Sequence, residues 1–371
     1  MSAGMRARFL VIVALLAAVG LGVPATASAA PGDYGHASIS YSGVSNPPTS
    51  DKPQSKLWWN DNSWWADMWT NGSGWHIYRL DRPTESWVDT GILNDPRANS
   101  LADTLWDGTH LYIASHSVSV STLDTINPSV SGQPARLYRY SYSAGRYTLD
   151  SGFPTTITNN SSESMTIDKD STGALFATWT QVAGNPATGY TNTVYVNVSA
   201  PGGTSWQAPF VIPAADPHPS TDDISSVVAF GANKVGVMWS DQLTGKVNWA
   251  VHADGTAPAA WSTITAASGP HLPDDHLNLK SLQADKTGRV FAVVKTSLDD
   301  LSSDPTQPQD LLLTYTPQTG TFTKTTISTV ADCITRPQVL LDTQHNTVHV
   351  FQTAPATLDS GCAYSGVAGS I

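Results

Sequence analysis

One pattern recurs six times along the chain: an apolar run, a short polar turn and a second apolar run. Each turn carries Asn, Asp or Gly, which tolerate the left-handed backbone conformations of tight hairpins. The turns lie 46 to 64 residues apart. The pattern therefore predicts six β-hairpins, at 57–69, 104–115, 165–179, 227–239, 282–294 and 339–351.

In the first five repeats a third strand follows the hairpin, and a Gly- or Pro-bearing turn then leads to a fourth strand. Four short strands in a unit of about 40–60 residues are typical of β-propeller blades. Helical periodicity is absent after residue 30. We therefore expect an all-β protein with a single, six-bladed β-propeller over 53–371. A β-sandwich with long loops is the alternative.

The sixth repeat has only its first two strands before the sequence ends at Ile371. Two interpretations follow: the last blade is incomplete, or a strand from the N-terminal segment 30–52 closes the ring. The stretch "HASISYSGV" (36–44) is the candidate strand. Propellers often close in this way because an open edge leaves unpaired N–H and C=O groups.

The first 29 residues have the features of a secretory signal peptide. Arg6 and Arg8 precede an apolar run, 9–19, that is too short to span a bilayer, and Ala27-Ser28-Ala29 is a small-residue cleavage site. We expect a secreted, extracellular protein with no membrane insertion.

Cleavage would leave 17 basic and 30 acidic residues. This acidity disfavours nucleic acid as a partner. The chain also has 13 tryptophans, which either pack between sheets or stack on sugar rings. We expect a monomer whose partner is a carbohydrate.

The strand order of a blade predicts which face carries chemistry. The turns between first and second strands are short throughout, whereas long loops follow the second strands, and binding residues concentrate on such loops. The functional face should therefore be the one where first strands begin. All six of these starts carry charge, at Lys56, Arg97 with Asp103, Glu163, Asp222 with Asp223, Asp274 to His276, and Arg336.

First strands lie nearest the propeller axis, so these groups are expected to converge at the mouth of the central channel. Polar residues at the ends of second strands belong to the same face: Asp67, Trp69, His116, Gln181, Trp239, Asp241 and Lys295. The alternative is that each polar side chain only ends its own strand in water.

Glycoside hydrolysis is the first candidate chemistry, because it needs an acid and a second carboxylate across the scissile bond. We expect the catalytic residues among Asp275, His276, Asp222, Asp223 and Glu163. We expect substrate binding by Lys280, Lys295, Arg336, Arg97, His116, Trp239, Asp241 and Trp69.

Elimination from a uronic-acid polysaccharide is the second candidate. It needs a base, His116 or His276, and cations that neutralise the uronate, for which Lys280, Lys295 and Arg336 are available. A third candidate is a propeller that binds a glycan or a protein without catalysis.

A metal site receives little support from the sequence. "DDH" (274–276) and the pair 222–223 offer oxygen ligands for Ca²⁺. However, adjacent residues of an extended strand point to opposite sides, so "DDH" should not present all three groups to one ion. We expect no cofactor.

The two cysteines, Cys333 and Cys362, both fall on the predicted functional face. In an exported protein a disulfide between them is plausible, and two free buried thiols are the alternative.

The repeats resemble those of the bacterial secreted sialidase-like (BNR-repeat) β-propellers, in repeat shape over most of 53–371. "DKDSTGALFATW" (168–179) is similar to an Asp-box. The resemblance implies a propeller fold and a carbohydrate ligand. Sialidases hold a carboxylate with three arginines, and Arg97 and Arg336 lie on the expected face.

Overall fold

The repeats form six antiparallel sheets in the computed structural model of this chain, which describes residues 39–44, 48, 52–118, 126, 128–279, 287–301, 304–357 and 362–371. These residues belong to one compact unit, Ile39–Ile371. The expected signal peptide, 1–29, lies outside the described residues.

The first three sheets follow one another along the chain, with their strands side by side in sequence order except for the last strand of the second sheet. The first sheet contains β1 (Leu57–Asn60), β2 (Ser63–Thr70), β3 (Gly74–Asp81) and β4 (Ser86–Asp95). The second contains β5 (Ser100–Trp106), β6 (His110–Ser117), β7 (Ser131–Ser143), β8 (Arg146–Leu149) and β9 (Thr155–Asn160). The third contains β10 (Thr166–Lys169), β11 (Leu175–Asn185), β12 (Gly189–Val198) and β13 (Phe210–Val211).

The remaining three sheets continue the same order. The fourth contains β14 (Ser225–Phe230), β15 (Lys234–Asp241), β16 (Lys246–Ala253) and β17 (Trp261–Ser268). The fifth contains β18 (Leu277–Asn278), β19 (Val290–Lys295), β20 (Pro308–Thr316) and β21 (Thr321–Thr329), with the one-turn helix α1 (Leu298–Leu301) after β19. The sixth contains β22 (Thr335–Asp342) and β23 (Thr347–Thr353).

The hydrophobic core lies between neighbouring sheets. Trp58 and Trp65 of the first sheet pack against Tyr147 of the second, and Trp239 and Val196 join the fourth sheet to the third. One further cluster joins the second sheet to the third, and another joins the fourth to the fifth. A smaller cluster lies at the first sheet and includes Leu101 of the second. Most tryptophans are therefore packing residues, because their rings fill the space between two sheet faces.

The first strand of each sheet lies beside the first strand of the next, in the order β1, β5, β10, β14, β18 and β22. Side chains on one first strand accept backbone hydrogen bonds from the following one. Asp168 Oδ2 accepts from Ala229 N at 2.8 Å, and Asn278 Oδ1 accepts from Val339 N at 3.2 Å. Face-to-face sheets with adjacent first strands give the all-β structure a propeller-like arrangement.

Asp103 has a structural role at the start of the second sheet. Its carboxylate accepts Ser55 N and Ile167 N, both at 2.8 Å, and so joins the chain before β1 to β5 and β10. In the same sheet the fourth strand is divided, because β8 and β9 pair with successive parts of the long β7.

The described part of the N-terminal segment contacts the first sheet. Ser42 N donates to Asn71 Oδ1 at 2.7 Å, Trp69 Nε1 donates to Ser42 O at 2.8 Å, and Tyr41 packs beside Trp69. Residues 39–44 form no strand, so this described part of "HASISYSGV" does not act as the expected ring-closing strand.

The predicted disulfide is present between Cys333 and Cys362, which have Cα atoms 5.7 Å apart. Beside it, Ala363 N donates to Ala331 O at 2.6 Å, so the last segment is held against the turn that precedes β22. Among the described residues, no helix has the length and hydropathy needed to cross a membrane.

Candidate functional site

Three carboxylates from consecutive sheets meet at one point. Glu163 lies just before β10, Asp222 just before β14 and Asp275 just before β18. One oxygen of each carboxylate lies within 4.8 Å of the others. The structure therefore brings together three of the five residues for which we predicted catalytic roles.

A lysine that the sequence analysis did not select completes this group. Lys52 Nζ donates to Glu163 Oε1 at 2.7 Å and to Asp275 Oδ2. We call Lys52, Glu163, Asp222 and Asp275 the Lys52 cluster. The sequence offered one weak signal for Lys52: it is a cation just before the first strand in a chain with only 19 lysines and arginines.

A second set of charges lies behind Asp275. His276 Nδ1 is 2.6 Å from Asp275 Oδ1 and 2.6 Å from Asp274 Oδ1. Lys295 Nζ then pairs with Asp274 Oδ2 at 2.9 Å and with Asp299 at 3.1 Å. Lys295, which we expected to bind substrate, is therefore buried in an ion pair with Asp274, the residue that precedes Asp275 of the Lys52 cluster.

The "DDH" stretch differs from the expectation that neighbouring side chains point apart. β18 begins only at Leu277, so residues 274–276 are not extended strand. Asp274 Oδ1 accepts from His276 N at 3.1 Å, a local turn that lets both aspartates reach the same imidazole.

The charges around Asp275 favour its ionised form. Burial alone would raise its pKa, but hydrogen bonds from His276 and Asp274 and the charge of Lys52 hold the pKa well below the usual aspartate range. His276 responds in the opposite sense. Burial opposes its charge, yet the hydrogen bonds to Asp274 and Asp275 raise its pKa, so it favours the imidazolium form.

Asp222, in contrast to Asp275, favours its protonated form. Burial and the nearby negative charge of Asp275 raise its pKa to about 7, although Lys52 partly opposes this. Burial also raises the pKa of Glu163 against the attraction of Lys52. Three neighbouring carboxyl groups therefore differ in their readiness to hold a proton, as acid–base chemistry requires.

Asp223, the sequence neighbour of Asp222, has a different environment. Its Oδ2 accepts Ser220 N at 2.8 Å and Gln242 N at 2.9 Å, and its Oδ1 accepts Gln242 Nε2 at 3.0 Å. Burial raises its pKa to about 6. These contacts join the chain before β14 to the turn after β15, which is a structural task.

His116 is completely buried. Its Nε2 lies 3.1 Å from Gln54 Oε1 and its Nδ1 lies 3.2 Å from Ser162 O. Burial lowers its pKa to about 3, so the ring is neutral at neutral pH. A base must reach its substrate, and this ring is packed between backbone and side chains instead.

Arg97 is also used internally. It pairs with the fully buried Asp95 and donates through Nη1 to Ser117 Oγ at 2.8 Å and Pro134 O at 2.6 Å. These contacts fasten the connection before β5 to β6 and to the start of β7. The guanidinium is thereby committed to the protein's own chain.

The remaining residues that we predicted to bind substrate lie outside the Lys52 cluster. Trp69 and Trp239 are buried and donate to Ser42 O and Asp216 O. Asp241 is buried and accepts from Thr244 within the turn after β15. Arg336 is exposed at the start of β22. Lys280 lies outside the described residues.

Two groups of side chains have a spacing that would suit a metal ion. The oxygens of Glu163, Asp222 and Asp275 are close enough together to suit a cation, and Asp274, Asp275 and His276 form a second such group. In the first group the ammonium of Lys52 already lies between two of the carboxylates. We therefore assign no metal ligands.

No known protein family matches the chain, sialidase-like or other, and no curated protein matches its sequence. Three solved structures with a similar fold belong to proteins of different kinds. One is a protein of unknown function from Dyadobacter fermentans, with 11% identity and a TM-score of 0.48 over 84% of this chain and 94% of that one.

The second is an α-L-arabinanase from Penicillium chrysogenum complexed with arabinobiose, with 10% identity and a TM-score of 0.42 over 83% of this chain and 91% of that one. The third is the polysaccharide lyase Uly1, with 10% identity and a TM-score of 0.44 over 89% of this chain and 84% of that one. Similarities of this size assign neither a site residue nor an activity.

Proposed function

We propose that this chain is a secreted, monomeric β-propeller that hydrolyses glycosidic bonds at the Lys52 cluster. In this proposal the six sheets are the blades of one ring, and the cluster lies at the mouth of its central channel. The observation that carries the proposal is the meeting of Asp222 and Asp275, whose pKa values are displaced in opposite directions.

Opposite displacement assigns the two roles. Asp222, with a pKa of about 7, is suited to protonate the oxygen of the leaving sugar. Asp275 stays ionised and is suited to attack or stabilise the positively charged sugar that results. Activity then falls as the pH rises above about 7, because Asp222 loses the proton that it must donate.

The carboxylate spacing favours one stereochemical course. Carboxyl groups about 5–5.5 Å apart are typical of retaining glycosidases, whereas inverting enzymes leave about 6.5–9.5 Å for a water molecule. One oxygen of Asp222 lies within 4.8 Å of one oxygen of Asp275, which is nearer to the first of these spacings. We therefore propose a retaining mechanism with Asp275 as the nucleophile.

The elimination mechanism receives less support. His116 is buried, and His276 is engaged by two carboxylates. Lys295 is paired with Asp274 and Asp299. Neither histidine is therefore a neutral and accessible base, and no lysine outside an ion pair is apparent in the described part of this site.

The test is incubation of the wild-type protein and two variants, Asp222→Asn and Asp275→Asn, with a panel of polysaccharides. Product is followed as reducing ends and as unsaturated uronate. We expect reducing ends without unsaturated product, and a loss of at least about 100-fold in each variant, since general acid and nucleophile each contribute on this scale.

Asp342→Asn is the matched control, because Asp342 ends β22 and its carboxylate accepts backbone N–H groups of the turn that follows. It should retain wild-type activity. Unsaturated product would replace the hydrolase proposal with elimination. Retention on a glycan column without any product would replace it with the non-catalytic binding role.

A further inference from the structure

Lys52 is the member of the cluster that lies before the first sheet, whereas the three carboxylates lie before the third, fourth and fifth. It precedes β1, and the residues after it are firmly attached. Gln54 Oε1 lies 3.1 Å from His116 Nε2, and Ser55 N donates to Asp103 Oδ1 at 2.8 Å. The backbone next to Lys52 is thus fixed to the second sheet, which defines where its ammonium reaches.

Among the described residues, Asp275 faces charged groups from three other segments. Lys52 faces it from the chain before β1, Glu163 from the chain before β10, and Asp222 from the chain before β14. On its own segment it meets Asp274 and His276. Lys295 of β19 pairs with Asp274, the neighbour of Asp275.

Two cations contact Asp275, namely His276 and Lys52, and each also pairs with a different second carboxylate. His276 is shared between Asp274 and Asp275, and Lys295 also neutralises Asp274. Lys52 is shared between Asp275 and Glu163. Lys52 is therefore the cation that acts on two carboxylates of the cluster at once, while the third carboxyl, Asp222, receives no hydrogen bond from it among the described contacts.

We infer that Lys52 is a positioning residue that decides which carboxyl group of the cluster carries a proton. Its ammonium adds to the contact from His276 in keeping Asp275 ionised, and the proton is left on Asp222. Without Lys52, Asp275 and Asp222 compete for that proton, since neighbouring carboxylates cannot both ionise freely. The catalytic consequence rests on the proposed hydrolase function, whereas the protonation itself does not.

The direct test is a carboxyl ¹³C NMR titration of Asp-labelled wild-type protein and Lys52→Met, with the Asp275 signal assigned by its loss in Asp275→Asn. Removal of an opposite charge at this distance raises a carboxyl pKa by about 1–3 units. We expect Asp275 in Lys52→Met to take up its proton at least about one pH unit higher than in the wild type.

Lys52→Arg separates charge from packing, because it keeps the cation and should keep the wild-type titration. Lys324→Met is the matched control, because Lys324 is exposed on the outer strand β21. Lys52→Gln replaces Lys52→Met if the latter does not fold. An Asp275 titration that is the same in the neutral variant and the wild type overturns the inference.

The kinetic test uses whichever glycan the wild type cleaves. The acidic limb of kcat/KM should move to higher pH by about one unit in Lys52→Met, a loss of about 10-fold on that limb, and should stay in place in Lys52→Arg. If no glycan is cleaved, the proposed function fails while the titration still decides the role of Lys52. A falling rate with an unmoved limb would mean that Lys52 acts only structurally.

Discussion

The environment of a carboxyl group decides its chemistry, as the adjacent residues Asp222 and Asp223 show. Asp222 points into the Lys52 cluster, while Asp223 binds backbone N–H groups of Ser220 and Gln242. The sequence predicted that both belong to the site. It could not separate them, because neighbouring side chains leave the backbone in different directions and only the fold decides which direction is the interior.

Asp67 gives a stability prediction at the same scale. It is buried, and burial raises its pKa to about 8. The folded protein therefore holds a proton that the unfolded chain loses near pH 4, so stability falls as pH rises from about 4 to 8. The melting temperature of Asp67→Asn minus that of the wild type should therefore increase between pH 5 and 8 and stay constant at higher pH.

Asp304→Asn is the control for this measurement. Hydrogen bonds from Thr306 and Gln307 keep the pKa of Asp304 below its usual value, so its contribution is complete above about pH 4. The melting-temperature difference of this variant should be flat from pH 5 to 8. A flat difference for Asp67→Asn as well would show that Asp67 is ionised in the folded protein.

At the scale of strands and sheets, sequence reasoning was most successful. Five predicted hairpins correspond to β1–β2, β5–β6, β10–β11, β14–β15 and β22–β23, because apolar alternation and turn residues report directly on strand pairing. In the predicted hairpin at 282–294 only the second strand is β19, since β18 lies earlier, at Leu277–Asn278, and 282–286 lie outside the described residues. The division of the second sheet's outer strand into β8 and β9 was not foreseen. It depends on the unusual length of β7, which local patterns do not reveal.

The packing of β15 on β16 makes a prediction about one glycine. A Cβ added at Gly236 would lie 1.9 Å from the ring of Trp249, which is fully buried. Gly236→Ala should therefore destabilise the protein by about 1–3 kcal/mol, the usual cost of overpacking a core. The measurement is urea unfolding followed by tryptophan fluorescence.

Gly269→Ala is the matched control, because a Cβ there meets Leu272 at an ordinary 3.4 Å. Its effect should be clearly smaller than that of Gly236→Ala. Equal midpoints for Gly236→Ala and the wild type would mean that Trp249 can move aside.

At the scale of the whole molecule, the site is made by the arrangement of sheets. The repeats predicted that first-strand starts converge, and Glu163, Asp222 and Asp275 do meet. The sequence could not show that Arg97 and His116 turn inward or that Lys52 arrives from the N-terminal side. Those outcomes depend on contacts between segments that are far apart in sequence.

The Cys333–Cys362 bond makes a prediction at this scale too. It closes a loop with a sequence separation of 29 residues, for which the chain-entropy account gives about 3.6 kcal/mol. The double variant Cys333→Ser/Cys362→Ser should unfold at a lower temperature than the wild type. Reductant should lower the wild type to the same value and leave the variant unchanged, because the chain has only these two cysteines.

An unchanged melting temperature in both cases would show that the last segment is held by its other contacts. Ala363 N bound to Ala331 O is the nearest of these.

The hydrogen bonds between first strands have a consequence for how such a protein evolves. Asp168 and Asn278 hold the backbone of the following first strand, whereas Glu163, Asp222 and Asp275 stand just outside the strands that they precede. Selection can therefore replace the residues before the strands without weakening the joints between sheets. If the proposed function holds, single substitutions at these three positions would change the chemistry of the site while the architecture is inherited intact.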